Sequence, residues 1–401
     1  MDHYEVVVIG GGWAGLSVSH ALQQASLRHV VFERGRIGES WRTQRWSSFH
    51  MNTPNALTVL PGDLYEGPEP EGFMKCSEFI LMLEDYASRN RLPLNDQTDV
   101  MEVRTTEGQF EVQTSKGSVT ADALVIASGN LNVPKIPDIA SKLPPSILQL
   151  HGIEYHQPEA LPDGAVMVVG CGDTGGQIAE ELMLAGRQVY LSTGRNGRVP
   201  RRYRGHDFFH WMSDSKLNQK PRPPGNAGRA LVGRTRTISL QSLSSSGVVL
   251  GRVRDASSSG ALHFENSLAD SIRYADETSA GVKEKIDDYI KREGIAAPIA
   301  EDDPDETITP DLPKPPLKEL DLIANGVGTV IWATGLKGNF DWLKVPGTID
   351  SDGEPIHDKS VSAPGVFFAG LDSAESQRAG TVLVAAFEAE RIIGHLTARR
   401  R

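Results

Sequence analysis

Short unbroken aliphatic runs that break into glycine, followed by apolar residues at helical spacing, occur twice in this chain. The first run is Val6-Val7-Val8-Ile9, then Gly10-Gly11-Gly12-Trp13-Ala14-Gly15, with Leu16, Ala21 and Leu22 at helical spacing after it. The second is Val166-Met167-Val168-Val169, then Gly170-Cys171-Gly172-Asp173-Thr174-Gly175, with Ile178, Ala179, Leu182 and Met183 on one helical face and a stop at Gly186. Each block leads into a further strand, His29-Val30-Val31-Phe32 and Gln188-Val189-Tyr190-Leu191-Ser192. The pattern predicts two βαβ units.

The intervening stretches read more weakly. Residues 34–61 are loop-like. Ser77 can cap a helix to about Asn90, with Phe79, Ile80, Leu83, Tyr86 and Ala87 on one face. A β-meander follows, with turns at Gly108 and Gly117, and Val119 leads into the buried run Ala123-Leu124-Val125-Ile126-Ala127-Ser128-Gly129. Pro134, Pro137, Pro144 and Pro145 mark a connector. Residues 205–322 are the least regular. The aromatic cluster at 208–212 reads as core, the more common outcome, or as a pocket wall, and residues 281–292 as an amphipathic helix with Lys283–Asp287 and Asp287–Lys291 pairs. Residues 296–316, rich in proline and acid, read as a surface excursion. Strands are expected at 328–335 and 366–372. A closing helix carries Val382, Ala386, Ala389, Ile393 and Leu396 on one face.

The fold class is therefore α/β. Two Rossmann-like dinucleotide-binding domains are expected, of the three-layer ββα type with a β-meander. Residues 1–160 plus 327–401 form the first domain, and 161–326 the second with an irregular Pro-rich insertion.

Bulk properties narrow the partners. A net charge of -11 over 401 residues argues against nucleic acid. No apolar run reaches the roughly 18 residues of a membrane span, and the N-terminus lacks the regions of a signal peptide. Cys76 and Cys171 are far apart and form no C-x-x-C, so neither a disulfide framework nor a metal site is expected, and a reducing cytoplasm fits.

The glycine spacing is G-x-G-x-x-G in both blocks. The first glycine makes the tight turn, the second lets backbone approach a pyrophosphate, and the third lets the helix pack on the strand. The helix N-terminus then offers free N–H groups to phosphate. Glu33 lies where an acid meets a ribose hydroxyl. The matching position in the second block is Thr193, with Ser192 before it and Arg195 just beyond, so the second nucleotide is NADP rather than NAD. Arg195, Arg198, Arg201, Arg202 and Arg204 crowd together; one or more is expected at a phosphate, against a solvated basic loop.

These motifs, with Trp41-Arg42, Asn52-Thr53 and Ala333-Thr334-Gly335, resemble the flavin-containing monooxygenases, especially short bacterial members. The resemblance covers nearly the whole chain. It implies FAD in the first domain and NADPH in the second. The cofactor contacts it implies are Gly10, Gly12, Trp13, Ala14, Gly15, Glu33, Arg34, Trp41, Arg42, Asn52, Thr53, Val100, Ala127, Ser128, Gly129 and Asp372, together with Gly170, Gly172, Asp173, Thr174, Gly175, Ser192, Arg195, Thr334 and Gly335. Asp372 would meet the ribityl chain, and the last helix would face the flavin ring. The family signature F-x-G-x-x-x-H is half present: His151 and Tyr155 match, but Pro145 and Ile147 replace the Phe and Gly. Tyr155-His156 where Baeyer–Villiger members have Trp-Pro argues against a plain enzyme of that type. His151 reads equally as a hinge or core residue.

The reaction implied is hydride transfer from NADPH to FAD, formation of a C4a-hydroperoxyflavin with O2, and oxygenation of a small organic substrate at nitrogen or sulfur. The resemblance makes Asn52 the catalytic hydrogen-bond donor; a turn residue before Thr53-Pro54 is the other reading. The alternatives are a flavin reductase or dehydrogenase without oxygen insertion, Baeyer–Villiger or 2-oxo-acid decarboxylating chemistry, and a nucleotide sensor. Oligomeric state is left open, a homodimer being compatible.

Overall fold

The computed structural model describes residues 1–222, 230–257 and 259–398; the last three residues of the expected first domain fall outside this set. The chain opens with β1 (Asp2–Ile9), α1 (Trp13–Gln24) and β2 (His29–Phe32). Then come the short α2 (Glu39–Thr43), α3 (Cys76–Arg89) and β3 (Leu94–Asn95). Helix α3 begins earlier than Ser77 suggests: Lys75 is the cap residue, its N–H donating to the Glu78 carboxylate at 2.7 Å. The meander is β4 (Val100–Thr106), β5 (Gln109–Thr114) and β6 (Gly117–Ile126). Strand β6 serves twice. Its first half pairs with β5 and its whole length runs parallel to β1.

The two faces of the parallel sheet explain the three layers. Alternation along β1 sends Val6 and Val8 toward α1 and the C-terminal helix, and Val7 and Ile9 toward Val103, Phe110 and Val112 of the meander. Unbroken aliphatic runs are what a strand covered on both faces requires.

The ribbon β7 (Val133–Pro134) leaves this unit, and β8 (Leu148–His151), β9 (Ala165–Val169), α4 (Asp173–Leu184) and β10 (Val189–Ser192) build the second. A small ribbon, β11 (Arg202–Tyr203) and β12 (His206–Asp207), leads into α5 (Phe208–Asp214), α6 (Leu240–Ser245), β13 (Val249–Ala256) and β14 (Ala261–Glu265). Next are α7 (Leu268–Glu293), α8 (Pro304–Thr307), β15 (Glu319–Asp321), β16 (Val327–Trp332) and β17 (Leu336–Lys337). The chain then returns through β18 (Val366–Phe368), parallel to β6, and ends in α9 (Ala385–Ala398) against α1.

Two strands fall on the other side of the expected boundary. β8 and β16 pair with each other, and β16 pairs with β9, in the second sheet, whose order is β15-β14-β13-β10-β9-β16-β8. The likeness of Ala333-Thr334-Gly335 to Ala127-Ser128-Gly129 marks the same position in each fold. A Cβ on Gly170 would stand 2.4 Å from the Ala333 carbonyl oxygen, as one on Gly10 would from Ala127. The crossing points are β7 and β17, which pair antiparallel: Leu336 opposite Pro134 and Lys337 opposite Val133.

Three local expectations also shift. α7 starts at Leu268, well before residue 281, because its buried face is Ser271, Ala275, Ser279 and Ile286; small and polar residues leave little apolar period to read. The pairs expected along it are replaced by tertiary ones: Lys283 binds Glu306, and Asp287 binds Arg204 at 2.6 Å and Tyr203 at 2.9 Å. At α9, Val382, Ala389 and Leu396 are buried as expected, but Ala385 and Ile392 take the places expected of Ala386, which is exposed, and Ile393. The 296–316 excursion is anchored by acids: Glu306 at Arg198 (3.1 Å) and Asp303 at the Thr237 hydroxyl (2.6 Å). Phe208, Trp211 and Met212 are buried, as core.

Candidate functional site: two nucleotide loops and the seam between them

Each fingerprint forms a loop closed against its own strand ends. Gly10 has φ +115°, and a Cβ on Gly15 would sit 1.8 Å from the Gly10 carbonyl oxygen. At Gly12 a Cβ would meet nothing within 4 Å, so the backbone there is open to an approaching group. No side chain caps α1, which leaves its first N–H groups to an external anion. The Ser128 hydroxyl, at the end of β6, is buried without a partner, and Gly129 has open space. The second loop repeats this build. Gly170 has φ +110°, Gly175 lies as close to the Gly170 oxygen, α4 has no side-chain cap at Gly172, and the Thr193 hydroxyl is buried and unpartnered. Both loops fit a dinucleotide's phosphates.

Glu33 stands at the end of β2 and accepts from the N–H groups of Gly11 (2.6 Å) and Gly35 (2.8 Å). The 94–100 segment borders it, with Val100 buried and the Thr98 N–H on the Glu33 carbonyl. Arg34 is exposed. Trp13 and Trp41 both border the cluster of Leu16, Met51, Phe79 and Val382, and Trp41 lies edge-on to Phe79 at 4.9 Å with Arg45 over its ring at 4.7 Å. Arg42 is turned away, bound to Glu84 of α3. Thr53 is buried, its hydroxyl 2.7 Å from that of Thr58. Asp372 is bound by Arg222, and its backbone carbonyl and N–H exchange hydrogen bonds with Asn130. Thr334 donates to the Lys135 carbonyl, and Gly335 accepts from His151 at 3.0 Å. Burial pushes the His151 imidazole below its ordinary value.

The arginine cluster divides. Arg198 is buried on Asp276 and Glu306, Arg201 on Asp207, and Arg204 on Asp287. Arg202 pairs with Glu71. Among the described residues, Arg195 alone of the five is both exposed and without an ion pair, its guanidinium 4.7 Å over the Tyr274 ring. Ser192 is buried, and its hydroxyl accepts from the Val253 N–H at 3.0 Å, which leaves its own hydrogen to donate.

Asn52 reaches the helix of the second loop. Its amide nitrogen donates to Asp173 at 3.3 Å, its amide oxygen accepts from Gln177 at 3.0 Å, and its backbone carbonyl accepts from Arg201 at 3.0 Å. Gln177 and Asp207 are the residues missed in the sequence; Arg201 is read there only as one of the arginine cluster. Gln177 follows Asp173 by one helical turn, which is the signal that could have found it.

Glu388, in the first turn of α9, accepts from the Gly370 N–H at 2.7 Å, beside Trp13 and Ala14. Burial pushes its carboxyl up to about 7, against the opposing pull of that N–H and of Arg391, with Glu375 and His357 nearby. The folded state thus holds the proton more tightly than the unfolded state. Stability from this group is full below its ordinary 4.5 and falls as pH rises to about 7. Glu388→Gln keeps the acceptor without the titration. Its Tm should exceed that of wild type above neutrality and converge with it toward about pH 4; curves that stay parallel across the range contradict this.

A doubly wound pair of nucleotide loops facing one seam defines a two-dinucleotide oxidoreductase. Residues 7–206 match the family described as pyridine nucleotide-disulphide oxidoreductase. A CzcO-like oxidoreductase of Geobacillus kaustophilus, itself uncharacterized, is 30% identical over 375 residues, 92% of either chain. Flavin-containing monooxygenase 5 of Cavia porcellus is 28% identical over 237 residues, 52% of this chain and 43% of that one. Among solved structures, a flavin-containing monooxygenase from Stenotrophomonas maltophilia superposes with TM-score 0.60 at 18% identity, covering all of both chains. A bacillithiol disulfide reductase from Staphylococcus aureus does so with TM-score 0.64 at 13% identity.

The chain belongs to the pyridine nucleotide-disulphide oxidoreductase family, with the CzcO-like oxidoreductases and the flavin monooxygenases among its relatives. This family implies FAD and NADP(H) as the cofactors of the two loops.

Proposed function

We propose that this protein is an FAD-dependent, NADPH-consuming monooxygenase that oxygenates a small organic substrate at a soft nitrogen or sulfur. The observation that carries the reading is Asn52. It follows Met51, which shares an apolar cluster with Leu16 of α1, and it bonds to Asp173 and Gln177 in the first two turns of α4. Asn52 thus binds the second nucleotide helix while its chain neighbour joins the cluster of the first, in the region where the reactive ends of two cofactors have to meet.

FAD, when bound, supplies hydride acceptance and the activation of dioxygen. The chain's part is to bind, orient and exclude water. The two uncapped helix ends and open glycines receive the phosphates. Arg195, exposed beside Ser192 and Thr193, suits a 2′-phosphate. Trp13, Trp41, Phe49 and Met51 make an apolar wall that keeps water from the seam. Asn52 has two amide hydrogens and spends one on Asp173; the other can donate without adding charge.

Asn52→Ala should divert reducing equivalents to hydrogen peroxide, raising the share of NADPH oxidised without product about tenfold. The measurement is NADPH consumption against peroxide and product over a panel of amines, thioethers, ketones and 2-oxo acids. Unchanged coupling removes Asn52 from the site. Products from the ketones or 2-oxo acids alone would move the reading to Baeyer–Villiger or decarboxylating chemistry, and no oxygenated product at all would move it to a reductase.

A further inference from the structure

Asn52, Asp173, Val232 and Gln177 close a ring of hydrogen bonds across the seam. Asp173 accepts from Asn52 (3.3 Å) and from the Val232 N–H (2.9 Å). Gln177 donates to the Val232 carbonyl (2.8 Å) and to the Asn52 side-chain oxygen (3.0 Å). Both Asp173 and Gln177 lie on α4, four residues apart, and so share one face of it.

The ring has a single consistent polarity. Asp173, when ionised, only accepts. The Val232 backbone fixes Gln177: its carbonyl holds the Gln177 NH2 group, so this group faces Asn52. Reversing the Asn52 amide would set its oxygen against the Asp173 carboxylate and its NH2 against the Gln177 NH2, breaking both bonds at once. Arg201, bound to the Asn52 carbonyl, fixes the backbone end.

We propose that Asp173 and Gln177 are positioning residues. Together they set the orientation of the Asn52 amide, so that the donor serving the first unit's cofactor is aimed by the nucleotide helix of the second. This rests on the monooxygenase reading for its chemical consequence, but the orientation itself does not depend on it.

The test is a double-mutant cycle on the FAD-loaded enzyme with Asn52→Ala, Gln177→Met and their combination. Gln177→Met keeps the length and removes both donors. Two quantities are read: unfolding free energy by denaturant titration, and the peroxide share of NADPH oxidation. In the unfolding equilibrium, Asn52 and Gln177 should couple by about fivefold, the usual weight of one hydrogen bond. Gln177→Met should raise the peroxide share about fivefold, and the double variant should exceed Asn52→Ala by nothing further. Gln177→Asn shortens the donor and should restore part of the coupling that Gln177→Met removes.

Additive stabilities, or a peroxide share that Gln177→Met leaves at the wild-type value while Asn52→Ala raises it, overturn the proposal. If Asn52→Ala itself leaves the peroxide share unchanged, the donor reading fails instead; the stability cycle then decides the orientation by itself.

Discussion

Gly15→Ala should yield a protein that does not retain FAD. The added carbon would stand 1.8 Å from the Gly10 carbonyl oxygen and 3.0 Å from its carbon, both backbone, with the Ala127 side chain 3.4 Å away. No rotamer relieves a Cβ. The helix has to retreat from the loop, which opens the closest contact between α1 and the sheet and turns the helix N–H groups off the phosphates. The packing loss should exceed about 4 kcal/mol, the upper range for one substitution. Visible absorbance of the purified protein and its Tm check this; a flavin-loaded Gly15→Ala protein would mean that the loop can yield by an ångström without losing its function.

The second large effect is expected at Arg201. Its side chain is 2% exposed and pairs at 2.6 Å with Asp207, which is fully buried. It also donates to the carbonyls of Asn52 and Gly233 and lies over the rings of Phe73 (4.6 Å) and Phe209 (5.3 Å). Burial lowers the guanidinium's proton affinity, which Asp207 opposes. Removing one partner of such a pair strands the other charge in a dry site, at a cost of about 3–5 kcal/mol. Arg201→Met should therefore destabilise strongly, whereas Arg201→Met combined with Asp207→Leu should recover much of the loss. Denaturant unfolding of the three proteins checks the order. A double variant as unstable as the single would show that the Asn52 and Gly233 contacts, not the pairing, carry the stability.

Legibility followed the range of the interactions. The fingerprints, the meander and the helix from Cys76 to Arg89 are local patterns of period two or three to four, and each falls where the sequence puts it. The first half of α7 was hidden because Ser271, Ala275 and Ser279 carry its packing. The arginine run could be seen but not sorted. What separates Arg195 from Arg198 and Arg201 is the presence of Asp207, Asp276 and Glu306, two of them far along the chain. The Ser192 hydroxyl's bond to Val253 is hidden for the same reason, since Val253 is 61 residues away. Asn52 was noticed, but its ring through Asp173 and Gln177 spans about 120 residues and has no sequence period.

The ribbon of β7 and β17 has a consequence for how such a chain can be rearranged. Val133–Pro134 enters the second unit and Leu336–Lys337 leaves it, side by side, with Lys135 bonded to Gly335 at 3.0 Å. The second nucleotide fold is thus a continuous insert with touching ends, its two chain crossings paired in one two-residue ladder. A segment of that kind can be lifted out and another of equal end spacing put in its place without re-threading the host. Neither the sheet of the first unit nor its glycine loop would lose a strand, so the second unit is exchangeable in a way that the first, split around it, is not.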